Sequence, residues 1–98
     1  MLEKHYYVYL RAQAPYGVLY LGVTSDLIRR TWEHKSGLIE GFTKRYHVHM
    51  LVWYEVHISS ESAILREKQL KKWKRQYKLN LIDEMNPDWK DLYSEIVS

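Results

Sequence analysis

The chain has no cysteine and only two prolines and four glycines among 98 residues. Without thiols it can form no disulfide and offers no thiolate to a metal, which, with no recognisable signal peptide, suits a reducing cytoplasm. Its longest apolar run is about six residues, far short of the length a membrane-spanning helix needs. No internal repeat, low-complexity tract or linker composition divides it. A chain of this length is expected to form one domain, residues 1–98, too small for a catalytic module plus a full recognition domain.

Aromatic rings are plentiful: nine tyrosines and four tryptophans, within an apolar fraction of 46%. That composition supports a modest core without covalent staples. The net charge of +3 conceals an asymmetry. Residues 1–82 hold 14 Lys or Arg against 7 Asp or Glu, whereas residues 83–98 hold 1 against 5. A basic body favours a polyanionic partner, and the acidic end offers a docking or masking surface.

Tyr6, Val8 and Leu10 alternate with Tyr7 and Tyr9, which predicts a strand. Arg11 to Gly17, with Pro15 and Gly17, predicts a hairpin loop returning the chain antiparallel. In the second strand Leu19, Leu21 and Val23 share one face, and Tyr20 and the bare Gly22 the other. Pairing the aliphatic faces sets Tyr9 and Tyr20 together on a second face, expected to be open. Thr24 or Ser25 is expected to cap the following helix and Gly37 to end it; within it Arg30 and His34 lie one turn apart. In the loop after it, Lys44 and Arg45 are candidate phosphate contacts.

A third strand is predicted with Val48, Met50, Val52, Tyr54, Val56 and Ile58 on one face and His47, His49, Leu51, Trp53, Glu55 and His57 on the other. The alternate histidines lack further ligands to complete a tetrahedral zinc site. Ser59 should cap a helix running through Tyr77, with Ile58 and Ala63 in staple spacing. On it Glu67 sits beside the apolar positions Ala63, Ile64 and Leu70, where a bridge to Lys71 or a metal ion would account for it. Lys68, Lys71, Lys72, Lys74 and Arg75 lie outward, interleaved with Trp73 and Tyr77, as a solvated face or a phosphate-tracking stripe. Asn86-Pro87 reads as the start of a last helix with Trp89, Leu92, Tyr93 and Ile96 as its apolar stripe.

The elements predict an α+β fold, a three-stranded antiparallel sheet flanked by helices. Tyr7-Val8-Tyr9 and Tyr20-Leu21-Gly22, followed by Arg30, His34 and Glu67, resemble the two-part signature and site spacing of the GIY-YIG nuclease family. The form is similar to the small stand-alone bacterial members, the N-terminal domain of the excinuclease C subunit and the nuclease subunit of the structure-selective junction endonuclease. The resemblance covers a motif-bearing core of about residues 6–81, leaving a C-terminal helical extension of about 82–98. It implies the same fold, with Tyr9 or Tyr20 as the base, Arg30 on the scissile phosphate, His34 orienting or relaying a proton, and Glu67 binding one Mg²⁺ or Mn²⁺. The implied substrate is DNA, branched or duplex. The first triplet lacks its glycine, and Val23-Thr24 stand where many members carry a lysine, so any role of that lysine falls to another residue or is absent. A non-catalytic nucleic-acid binding module, or a subunit targeted by a protein partner, is the competing expectation.

Overall fold

A computed structural model of the chain describes residues 4–37 and 46–97. Strands β1 (Tyr6–Ala12), β2 (Leu19–Thr24) and β3 (Met50–His57) form one antiparallel sheet in the order β2-β1-β3. Helix α1 (Leu27–Lys35) follows β2, and α2 (Ser60–Lys72), α3 (Arg75–Met85) and the short α4 (Tyr93–Ile96) follow β3. The expected α+β architecture is present.

Alternation along β1 sorts the sheet into two faces. Val8, Leu10 and Ala12, with Leu19, Leu21 and Val23 of β2, pack against Ala63 and Leu70 of α2 and Ile82 of α3. Tyr7, Tyr9 and Tyr20 lie on the other face, with Leu27 of α1 and Leu92 and Ile96 near the C-terminus. The second face is therefore covered, not open as expected, and Tyr9 is fully buried.

β3 does not keep strict alternation. Leu10 pairs with Trp53 but Arg11 with Leu51, so Val52 is an extra residue in a bulge. Val52 and Trp53 consequently both join the aliphatic core, and Tyr54 moves to the face of Tyr9. The bulge is held from outside the sheet: Asn86 Nδ2 donates to the Val52 carbonyl at 3.1 Å, and the Leu92 amide donates to the Leu51 carbonyl at 2.7 Å. Asp91 Oδ1 accepts from the Leu51 amide at 3.2 Å. The C-terminal segment thereby covers the free edge of β3, an edge otherwise open to pairing with another chain.

Two helices end sooner or begin later than the sequence predicts. α2 starts at its expected cap, Ser59, whose hydroxyl accepts from the Ser62 amide at 3.2 Å; Ile58, expected to staple it, is exposed instead. It stops at Lys72 because Trp73 and Lys74 are extended, although neither is Gly or Pro. One helix over 60–85 would be about 39 Å long, well past strands of at most eight residues, or about 27 Å. The break folds α3 back so that Ile82 reaches the core. Asn86-Pro87 is a turn, not a helix start: the Trp89 amide donates to the Asn86 carbonyl at 2.9 Å, with Trp89 at φ 51°. The left-handed Trp89 is retained by its indole, which donates to Asp83 at 2.8 Å and lies 4.5 Å from the Tyr16 ring.

Candidate functional site

The site starts from a cross-strand pair. Tyr9 on β1 faces Gly22 on β2, and a Cβ built on Gly22 would stand 2.4 Å from the Tyr9 hydroxyl. Gly22 is thus the space in which the Tyr9 ring lies. Tyr20, two residues earlier on the same face and half-buried, sits edge-on to Tyr9 with ring centroids 6.4 Å apart. The juxtaposition of the two phenols expected from alternation is present.

Arg11 was not among the residues the sequence singled out for a site. β1 continues through it, so the side chain expected in a hairpin loop is fully buried on the phenol face. Its guanidinium lies 4.6 Å from the Tyr9 ring centroid and donates to Thr31 Oγ1 at 3.2 Å. Among the described residues Arg11 Nε and Nη1 and the Tyr9 hydroxyl make no hydrogen bond of ordinary geometry, although the guanidinium and the phenol are near enough to attract one another. Buried donors of this kind are normally satisfied, and a buried cation without a carboxylate is costly. The missed signal was parity: Arg11 continues the series Tyr7, Tyr9. Burial raises the Tyr9 pKa above its ordinary value, against the opposing pull of the Arg11 and Arg30 charges.

α1 brings the next two groups. Its N-cap is Asp26, whose carboxylate accepts from the Arg29 amide at 3.1 Å, and Thr24 supports that cap by accepting from the Asp26 amide. Gly37, at φ 70°, follows its last turn. His34 is buried, with its ring 5.7 Å from Tyr20 and 6.4 Å from Tyr9. Its pKa is lowered to about 4, first by burial and then by the charges of Arg11, Arg30 and His49. The imidazole is consequently neutral at neutral pH. His49 Nδ1 donates to the His34 carbonyl at 3.1 Å. Arg30, half-exposed, lies 3.6 Å from Glu33 and borders a polar cleft of about 250 Å³ lined by Thr24, Ser25, Asp26, Arg29, Arg30 and Glu33. The phenols, the imidazole and two cations thus converge between α1 and the sheet.

Glu67 comes from the opposite layer. It is carried by α2, which packs on the aliphatic face, and its carboxylate pairs with Lys71 at 3.3 Å, with the side chain 19% exposed. Among the described residues no group of three His, Asp or Glu side chains forms a metal-binding cluster. A single carboxylate of this kind suits a hard, largely hydrated ion such as Mg²⁺ or Mn²⁺ far better than zinc. Of the expected nucleic-acid contacts, Lys68, Lys71, Lys72 and Lys74 are exposed. Arg75 instead donates to the carbonyls of Tyr16 and Gly17 at 2.7 and 2.6 Å, fixing the β1–β2 hairpin. Lys44 and Arg45 lie outside the described residues. The acidic end is not a detachable mask: Asp91 pairs with Lys35, and Trp89 and Leu92 are buried.

Among the described residues no helix is long and apolar enough to cross a membrane. Comparison with known proteins bears on the family and the fold. Residues 5–80 match the family model of the GIY-YIG catalytic domain. A UPF0213 protein of Staphylococcus saprophyticus is 32% identical over 85% of this chain and 99% of its own length, and one of Bacillus pumilus is 31% identical over 86% of each chain. The solution NMR structure of a UPF0213 protein from Bacillus halodurans superposes with a TM-score of 0.55 at 28% identity, covering 89% of this chain and 92% of that one. The chain therefore belongs to the GIY-YIG catalytic domain family, a family of nucleases.

Proposed function

We propose that the protein is an endonuclease that hydrolyses DNA phosphodiester bonds at the Tyr9–Tyr20–Arg30–His34 cluster, with Arg11 as part of its charge. The observation that supports this most is the Arg11 guanidinium, buried and 4.6 Å from the ring of the equally buried Tyr9. A fold without chemistry has no use for a desolvated cation there, since an apolar residue would fill the site at equal or better stability.

Hydrolysis requires a deprotonated water, neutralisation of charge on the five-coordinate phosphorus, and a stabilised leaving oxygen. Tyr20 is the better base because it is half-exposed, whereas burial holds the proton on Tyr9. Its ring adjoins His34, which is unprotonated and able to take the phenolic proton as Tyr20 accepts one from the attacking water. Water oxygen bonds to phosphorus as the phosphorus–leaving-oxygen bond breaks. Arg30, at the rim of the polar cleft, holds the scissile phosphate; an arriving phosphate displaces Glu33 from it. Burial is the main reason His34 is neutral, and an anion there offsets only the lesser one, the positive charges of Arg11 and Arg30. Glu67, carried by α2 and paired with Lys71, is the residue that would hold one divalent ion, and such an ion would supply charge neutralisation to a phosphate brought between α2 and the phenol face.

The test is cleavage of supercoiled, duplex, branched and flapped DNA by the purified protein in Mg²⁺ or Mn²⁺. Arg30→Ala and Glu67→Ala should each lower the rate by about 10²- to 10³-fold, as for removal of a transition-state charge partner. Variants that cut as fast as the wild type would assign the activity to a contaminant and overturn the reading. Salt-sensitive DNA binding without cleavage in any metal would identify a binding module instead.

A further inference from the structure

Trp73 is, with Trp32, one of two exposed tryptophans. It belongs to neither hydrophobic cluster of described residues, is 39% exposed, and stands at the break between α2 and α3, where the chain is extended. Yet it is firmly braced. The Arg66 guanidinium lies 5.2 Å from its ring centroid. Arg66 is itself held by both carboxylate oxygens of Glu55, at 3.1 and 3.3 Å. Glu55 also lies 2.7 Å from His57 Nε2, and His57 Nδ1 lies 2.6 Å from Ser62 Oγ. Tyr77, one turn into α3 and 56% exposed, sets its ring 5.7 Å from that of Trp73.

A polar chain reaching back to β3 thus holds an aromatic ring at the surface instead of burying it. Exposure alone would not mark this ring, since Trp32 is more exposed still; what marks it is the bracing of Arg66 and Glu55 together with the neighbouring Tyr77 ring. The surroundings are cationic, with Lys68, Lys71, Lys72 and Lys74 exposed along α2 and the break that follows it. Arg75 fixes this corner to the Tyr16 and Gly17 carbonyls. Tyr20 lies three residues beyond Gly17, a span of at most about 10 Å of extended chain.

Resting on the nuclease reading, we infer that Trp73 and Tyr77 form a stacking platform for an unpaired nucleobase, with the neighbouring lysines on the backbone that leads to Tyr20. Rings of this type stack on any base and distinguish an unpaired strand from a duplex, whose bases present no free face. The substrate class is nucleic acid with a single-stranded segment beside the scissile bond.

Binding in EDTA tests the platform separately from cleavage. Anisotropy of a labelled oligothymidine and of a blunt duplex is measured for wild type, Trp73→Ala, Tyr77→Ala and Trp73→Phe. Trp73→Ala should weaken single-strand binding by about 5- to 150-fold, the range for loss of one stacked ring, and leave duplex binding unchanged. Tyr77→Ala should act in the same direction, and Trp73→Phe should retain most of the affinity. An oligouridine arm, expected to lose affinity in parallel, tells an RNA strand from a DNA strand by which binds tighter. Unchanged single-strand affinity in folded Trp73→Ala, or equal losses on both ligands, overturns the platform while leaving the Arg30→Ala cleavage result intact. If Trp73→Ala does not fold, Tyr77→Ala, at an exposed position, decides between the same outcomes with the same two ligands.

Discussion

The two faces of the sheet are made by the same strands and obey different rules. On one, Val8, Leu10, Ala12, Val52, Ala63, Leu70 and Ile82 are fully buried and carry no side-chain polar atom. On the other, Tyr9, Arg11, Thr31 and His34 are buried among few aliphatic neighbours, and polar atoms of Tyr9 and Arg11 make no hydrogen bond of ordinary geometry among the described residues. The first face supplies stability through apolar area removed from water. The second gives some of it up. Substitutions on the two faces should therefore separate stability from activity, and that separation can be broken experimentally.

The largest effect belongs to the aliphatic face. Leu70→Ala should lower unfolding free energy by about 2–5 kcal/mol, as for other buried leucines, with cleavage per folded molecule unchanged. Urea unfolding and active-fraction measurements check it; a loss of turnover in folded protein would show the faces to be coupled. Gly22→Ala comes next. Its new Cβ must displace the Tyr9 ring, so it should cost about 1–3 kcal/mol and also abolish cleavage. If Gly22→Ala cuts normally, Tyr9 is not part of the site.

The third effect is a pH dependence. Between its folded pKa of about 4 and its ordinary value of 6.5, His34 is protonated in the unfolded chain and neutral in the folded one. Protons bound preferentially by the unfolded state make stability rise with pH, so the contribution grows from pH 4 to 6.5 and is level above. For a side chain as buried as this one, the difference between 6.5 and about 4 corresponds to at most about 3 kcal/mol. His34→Gln should flatten this part of the profile, and parallel profiles for the two proteins would refute the shift.

The sorting of β1 and β2 into faces was legible because alternation depends only on neighbours in sequence. That Tyr9 is sealed was not: parity says which face a side chain takes, not what covers it, and the cover comes from α1 and residues near Leu92. The β3 alternation failed for a similar reason. The Asn86 side chain that grips the Val52 carbonyl comes from 34 residues away. Asn-Pro serves equally as a helix start and as the first two positions of a turn, and only the packing of Trp89 against Tyr16 and Asp83 decides between them. The α2 break at Trp73 has no local breaker; the core's need for Ile82 overrides helix propensity. Of the candidate site, the shared face of Tyr9 and Tyr20 was legible from alternation and the pairing of Arg30 with His34 from helical spacing, their gathering into one cluster only from the resemblance; Arg11 was hidden by the expectation that the strand ended before it.

The smallest effect on stability should come from Arg11→Met, and it bears most directly on the contrast between the faces. Methionine fills most of the volume with an adaptable apolar chain and removes a desolvated charge that has no carboxylate partner among the described residues. The lost hydrogen bond to Thr31 and the relieved burial of charge should nearly cancel, leaving stability within about 1 kcal/mol of wild type. Loss of the charge removes one of the influences that lower the His34 pKa and one that opposes the rise in Tyr9. His34 should then titrate at higher pH in NMR, and cleavage should fall although the protein is as stable as before. A merely structural arginine would behave in the opposite way, with a large loss of stability and unchanged turnover in the molecules that remain folded. That result would make the phenol face a second core.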